Sequence, residues 1–386
     1  MNKAKKTLVT LVLVLILFVY TDSVMAIPDT LRLAGENRYT TAIEVSKQGW
    51  PSGADNIVLT TGENYPDALC AAPLAGKYNA PILLVGRNGL DSKTIAEINR
   101  LNPQKAFIVG GKGVIPGSVE NQLNGMNIKV QRFAGGDRYE TALLVARDVG
   151  MSKGLFIVSG EDYIDALSVA PIAAVTGMAL LPVPSSDLTK NQKSQLSRVK
   201  LDQVIIVGDL KKISKNIRSQ FPNTQIIDDD SPYHRNISVI NYFKNDLNCD
   251  SVFVATGQSY PDALSAAAYA KKNKNPIILL DGNKFSSATE KFFSENFVSK
   301  IFVLGGESVI SSSSISHIKA LLPQILKIED IYVTVAENSN FELPSKVVAN
   351  TNSGSKIEVP VKWNLTNVST SKTGTYYFQG HVDGVG

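Results

Sequence analysis

Leu33-Ala34-Gly35-Glu36-Asn37-Arg38-Tyr39-Thr40-Thr41-Ala42 returns one hundred residues later as Phe133-Ala134-Gly135-Gly136-Asp137-Arg138-Tyr139-Glu140-Thr141-Ala142. Working outward, Tyr65-Pro66-Asp67-Ala68-Leu69 returns as Tyr163-Ile164-Asp165-Ala166-Leu167 and again as Tyr260-Pro261-Asp262-Ala263-Leu264. Pro81-Ile82-Leu83-Leu84 has counterparts at Ala179-Leu180-Leu181-Pro182 and Pro276-Ile277-Ile278-Leu279. Val109-Gly110-Gly111 matches Val207-Gly208-Asp209 and Leu304-Gly305-Gly306. The aspartates are spaced 98 and 97 residues apart, and the leading glycines keep both spacings. One order of motifs at one period identifies a tandem repeat, which outranks every other reading of the fold. The third copy is worn at its start, where Ser231-Pro232-Tyr233 replaces Asp137-Arg138-Tyr139.

Each copy alternates short apolar runs with amphipathic stretches. In the first, Ile57–Gly62, Pro81–Val85, Ala106–Val109 and Ile128–Ala134 read as strands. Asp67–Lys77, Asp91–Leu101 and Arg138–Val149 read as helices, with a short one around Val119 and Leu123. Near-continuous apolar strands separated by helices predict a parallel sheet covered on both faces. The fold class is therefore α/β, three tandem Rossmann- or flavodoxin-like modules, with strand order left open. The divisions are 1–26 as leader, 27–131, 132–227 and 228–326 as modules, and 327–386 as a small β domain.

The chemistry-bearing positions fall in the repeated motifs. Asp67, Asp165 and Asp262 open an Ala-rich helix after a strand and loop. A carboxylate there can cap backbone N–H groups. It can also face ligand at the carboxyl edge of a parallel sheet and accept hydrogen bonds from sugar hydroxyls. Arg38-Tyr39 and Arg138-Tyr139 open a helix. Such an arginine can clamp a phosphate or carboxylate, and the tyrosine can stack on a sugar, or the arginine can pair with an aspartate of the neighbouring module. Pro232 denies the third copy an arginine at that position. The Gly-Gly turn predicts a backbone of positive φ rather than an anion-binding nest.

Catalytic and cofactor signatures are missing from the sequence. Its histidines are His234, His317 and His381, far apart, with no His-Glu-x-x-His, Gly-x-Ser-x-Gly or phosphate-binding loop. No catalytic residue, metal site or cofactor is expected. Cys70 stands where the other copies have Ser168 and Ser265, a small buried position, and Cys249 lies in another module, so no disulfide is expected. A glycosidase needing only two carboxylates stays open at this stage.

Lys3, Lys5 and Lys6 precede an apolar run from Leu8 to Tyr20, followed by Val24-Met25-Ala26. That layout predicts a secretory leader cleaved after Ala26 and no membrane span thereafter. The chain has 386 residues and net charge +4, and loss of Lys3, Lys5, Lys6 and Asp22 with the leader leaves +2. Such a balance argues against a dedicated nucleic-acid binder. Beyond Lys327, Ile331, Val333 and Val335 alternate with polar residues, as do Ile357, Val359, Val361 and Trp363, and Tyr376, Phe378 and Gly380. Period-two patterning predicts antiparallel strands. Thr373-Gly374-Thr375-Tyr376 is similar to the turn into a late strand of immunoglobulin-like domains, though about sixty residues is short for a whole sandwich. Asn364-Leu365-Thr366 and Asn367-Val368-Ser369 fit a glycosylation pattern and carry no weight here.

Residues 31 to about 325 resemble the cell-wall-binding repeat type 2 family of Gram-positive bacteria. The likeness rests on the Leu/Phe-Ala-Gly…Arg-Tyr-x-Thr-Ala start, the Tyr-Pro-Asp-Ala-Leu segment, the Pro-Ile-Leu-Leu strand and the Val-Gly-Gly turn. The resemblance implies three modules around a pseudo-threefold axis. It also implies non-covalent attachment of a secreted, cell-surface protein to an anionic secondary wall polysaccharide. Arg38, Tyr39, Asp67, Arg138, Tyr139, Asp165 and Asp262 are the expected ligand contacts. The tail resembles bacterial immunoglobulin-like domains. Two competing functions are a peptidoglycan hydrolase, amidase or glycosidase, and an adhesin acting through the tail.

Overall fold

The computed structural model describes residues 10–14, 28–222, 224–328, 330–364, 369–372 and 374–382. The cleavage site expected after Ala26 and most of the apolar run ahead of it lie outside them, as do parts of the Thr373-Gly374 turn, the Asn364 and Asn367 motifs and the last four residues.

Three four-stranded sheets share one strand order. The first runs Ile82–Val85, Asn56–Thr61, Lys105–Val109, Lys129–Phe133, with every neighbouring pair parallel. The second runs Ala179–Val183, Leu155–Ser159, Val204–Val207, Gln225–Ile227, again parallel. The third runs Ile277–Leu280, Ser251–Thr256, Lys300–Leu304 and then Asp29–Leu33, a strand from the start of the chain. Its junction repeats that of the others: Gly305 N–H donates to the Leu33 carbonyl at 3.0 Å, as Gly110 does to Phe133 at 2.9 Å and Gly208 to Ile227 at 3.1 Å. Spatial modules are therefore offset from sequence repeats. The division at 131 cuts the strand Lys129–Phe133, and Asp29–Leu33 belongs to the last sheet rather than the first. The strand exchange closes the three units into a ring.

The strands are apolar because both faces are covered. Phe107, Phe156 and Phe253 are fully buried, and each such side chain contributes roughly 1.5–3 kcal/mol. Arg38–Gly49, Arg138–Val149 and Pro232–Tyr242 form an opening helix in each repeat. Asn37, Asp137 and Ser231 cap them through the N–H groups of Thr40, Glu140 and His234. Ala71–Tyr78, Ile164–Thr176 and Tyr260–Lys272 are the axial helices, and each packs on the other two. Their alanines and glycine permit that closeness: a Cβ on Gly76 would lie 2.8 Å from that of Ala174. Polar latches join the modules at the far end, with Tyr78 donating to Asp148 at 3.0 Å and Lys272 to the Gly49 carbonyl at 2.6 Å.

The tail is described by itself. Ile325–Ile328, Lys346–Thr351 and Lys356–Pro360 form an antiparallel sheet in which Val347 faces Val359 and Ala349 faces Ile357. Those four are buried while Lys346, Val348, Lys356 and Glu358 are exposed, an alternation expected from the sequence at Ile357 and Val359 and not in Lys346–Thr351. Lys362–Trp363 pairs with Gly380–His381. Tyr332–Ala336 pairs antiparallel with Thr10–Val14, inside the segment read as a leader.

Candidate binding clefts between modules

The Asp-Ala-Leu carboxylates do not cap their helices. Asp67 precedes a short 3-10 turn with no side-chain capping bond, and Asp165 and Asp262 sit inside the first turn of theirs. Each instead lies against the leading glycine of its own Gly-Gly or Gly-Asp turn. A Cβ on Gly110, Gly208 or Gly305 would fall 3.5, 3.3 or 2.8 Å from Oδ2 of Asp67, Asp165 or Asp262. All three glycines have positive φ, 131°, 150° and 94°, as the tight-turn reading required. Across from each carboxylate stands the opening helix of the next module. The ring of modules thus yields three corresponding clefts, unlike in their side chains, at the carboxyl edge of the sheets, where ligands of open α/β folds bind.

In the first cleft Thr141 and the Gly111 N–H hydrogen-bond Asp67, and Arg138 lies close. Thr141 Oγ1 accepts from Gly135 N–H at 3.0 Å, which aims its own proton at the carboxylate. Burial raises the Asp67 carboxyl above its ordinary value, and these donors pull it back. Arg138 donates to the Gly160 carbonyl at 2.9 Å and lies 5.9 Å over the Tyr65 ring. A hollow of about 310 Å³ opens here, lined by Asn64, Asp67, Gly111, Gly136, Arg138 and Thr141 among others.

The second cleft holds a residue that sequence reasoning missed. Arg235 forks onto Asp165, Nε to Oδ1 at 2.7 Å and Nη2 to Oδ2 at 3.0 Å. Its Nη1 donates to the Asp229 carbonyl at 2.7 Å. Burial pushes the Asp165 carboxyl up against the pull of Arg235. Pro232 does remove the expected arginine, but Arg235 lies one turn later on the same helix face. That spacing was the available signal. In the third cleft burial raises Asp262 to about 6, with Arg38 pulling against it. Arg38 itself donates to the Gly62 carbonyl at 2.5 Å.

Tyr39 and Tyr139 pack on their own modules, beside the clefts. A Cβ on Gly62 would meet the Tyr39 ring at 2.7 Å, and Gly160 is covered likewise by Tyr139. The Tyr39 hydroxyl donates to Glu63. A second tyrosine set, Tyr65, Tyr163 and Tyr260, meets near the axis with ring centroids 5.3, 6.1 and 6.4 Å apart. Tyr65 donates to the Glu161 carbonyl at 2.9 Å and Tyr260 to that of Thr61 at 3.1 Å, each bond crossing a module boundary.

A larger hollow of about 510 Å³ lies between Arg38–Gly49 and Ser92–Leu101. Its charges are already matched: Lys93 with Glu36 at 2.7 Å, Lys47 with Glu44 at 2.8 Å, and Arg100 with Glu97 at 2.7 Å. Size alone therefore does not favour it over the repeated motif. Cys70 is buried and burial drives its thiol far up, the reverse of an activated nucleophile. Among the described residues no acidic, histidine and cysteine cluster could hold a metal, and no helix is long and apolar enough to cross a membrane.

Three α/β modules closed into a ring, with polar side chains meeting at each junction, and a β domain following them in the chain define a repeat-built binding protein. The model of the cell wall binding domain 2 family matches residues 32–120, 132–218 and 228–315, and that of the bacterial Ig-like domain, group 4, matches 328–385. The chain belongs to the cell wall binding domain 2 family and is a cell-wall or surface protein. It is 31% identical over 314 residues to the N-acetylmuramoyl-L-alanine amidase LytC of Bacillus subtilis (strain 168), covering 81% of this chain and 62% of that one. It is 30% identical over 291 residues to the amidase enhancer of the same organism, covering 73% and 39%. Cwp6 from Clostridium difficile superposes with a TM-score of 0.72 at 27% identity, over 76% of this chain and 48% of that chain. The chain thus spans less than two thirds of the length of each.

Proposed function

We propose that this protein, exported by a leader ending at Ala26, anchors itself non-covalently to an anionic polysaccharide of a Gram-positive wall and does not catalyse a reaction. The first cleft carries the reading. It offers a guanidinium, a half-exposed carboxylate and backbone N–H groups around one hollow. Arg138 and Arg38 suit phosphate or carboxylate groups of such a glycan. Asp67 and Asp262 suit its hydroxyls. Asp165 is withdrawn from this role by Arg235, and Tyr39 and Tyr139 contribute as walls. Polymer-bearing walls should sediment the chain and polymer-stripped walls should not. Equal sedimentation with both defeats the reading.

The names of the Bacillus subtilis relatives raise a second reading, wall hydrolysis or its stimulation. Zymography on peptidoglycan separates the two: a clear zone that vanishes in Asp67→Ala favours hydrolysis. A third role, adhesion through the tail, draws on the exposed Tyr332 and Tyr377. Removing residues after Leu326 then abolishes attachment to cells and spares attachment to walls.

A further inference from the structure

The three clefts are assembled from the same positions, yet the second holds a cation of its own. The fourth residue of the opening helix is Thr41, Thr141 and Arg235 in turn. Thr141 offers Asp67 one hydroxyl. Arg235 reaches further and places two N–H donors on Asp165. Both side chains are sealed, 7% and 3% exposed, so that carboxylate is closed to solvent. The first residue of the same helix changes in the opposite sense. Arg38 and Arg138 lie at the cleft mouth, tied to the Gly62 and Gly160 carbonyls, and Pro232 has no cation to offer there. The second cleft has therefore exchanged an arginine at the mouth for one in the floor. Lys212, the other cation nearby, is bonded to Asp162.

We propose that Arg235 is a built-in occupant of the second cleft, and that one chain takes up wall glycan at the first and third clefts only. The inference rests on the wall-glycan reading above and adds its stoichiometry. In the first cleft Asp67 can accept from a sugar hydroxyl while Arg138 grips a phosphate or carboxylate. In the third, Asp262 and Arg38 stand in the same relation. In the second, both oxygens of Asp165 are spent on the guanidinium and the mouth arginine is gone, so neither hydroxyl nor anion finds its partner. The same ion pair joins modules two and three, whose Tyr163 and Tyr260 rings meet with centroids 6.1 Å apart.

Isothermal titration of the full chain with a one-repeat oligosaccharide, prepared from the isolated anionic wall glycan of the organism that makes this chain, reads the number of sites. Two per chain is expected, falling to one in Arg38→Gln and to one in Arg138→Gln. The double substitution Pro232→Arg, Arg235→Thr restores the pattern of the other copies and should raise the count to three. If that variant fails to fold, the wild-type count and the two glutamine variants decide. Three wild-type sites, or one, overturn the assignment of glycan to the first and third clefts and leave the wall-glycan reading standing. No binding at all overturns both.

Discussion

Replacing Arg235 with alanine removes the counter-charge of a carboxylate that is 2% exposed. Asp165 then has neither water nor a donor pair, since Nε and Nη2 of Arg235 supply its short contacts. Breaking one side of a buried ion pair costs about 3–5 kcal/mol. The upper half of that range is expected, because the bond from Nη1 to the Asp229 carbonyl is lost as well. At about 2–4 °C per kcal/mol for a large domain, the midpoint of thermal unfolding should fall by roughly 8 °C or more. The double substitution Arg235→Met, Asp165→Leu separates charge from packing. Well-filled apolar replacements of buried pairs are often neutral or stabilising, so it should recover most of the loss. Denaturant unfolding of wild type, both single variants and the double gives the coupling directly. A single-variant cost below about 1 kcal/mol, or a double variant no better than the singles, refutes the idea that this pair locks modules two and three.

Other perturbations test other joints. Burial raises Asp262 from 3.8 to about 6, so the folded chain holds that proton more tightly than the unfolded one. This group's contribution to stability is therefore complete below about pH 4 and lost as pH rises through 6. Asp262→Asn should flatten the fall between pH 4 and 7 by up to about 2–3 kcal/mol, read from denaturant midpoints across that range, and an unchanged slope contradicts the burial argument. A chain begun at Glu36 lacks the strand that accepts from Gly305, so amides of Lys300–Leu304 should lose hydrogen-exchange protection; full protection denies the ring closure. Gly62→Ala drives a Cβ into the Tyr39 ring and should cost about 1–3 kcal/mol in unfolding experiments, with a neutral result meaning that the ring yields freely.

Much of this architecture is legible in the sequence, for physical reasons. Repeats expose themselves because each copy must bury the same strands and the same Ala-rich helix. Ile357 and Val359 show their shared face through period-two alternation, while the strand Lys346–Thr351 that pairs with them went unread. What stayed hidden depends on which copy meets which. No local pattern says that Asp29–Leu33 closes the third sheet, because a strand reads the same whichever neighbour it pairs with. The aspartates suited a capping role locally, and a tertiary contact overrode it once the next module's helix stood opposite. Arg235 stayed unread because the repeat alignment drew attention to position 232. A helix offers equivalent positions one turn apart, and the guanidinium is long enough to use either.

The measurement closest to the central claim is retention on isolated walls of wild type beside the variant Arg38→Gln, Arg138→Gln. Both arginines lie on partly exposed helix starts, so the variant should unfold at the wild-type temperature while staying in the supernatant. If it still pellets with the walls, or stays soluble only because it has unfolded, the clefts between modules are not what holds the wall.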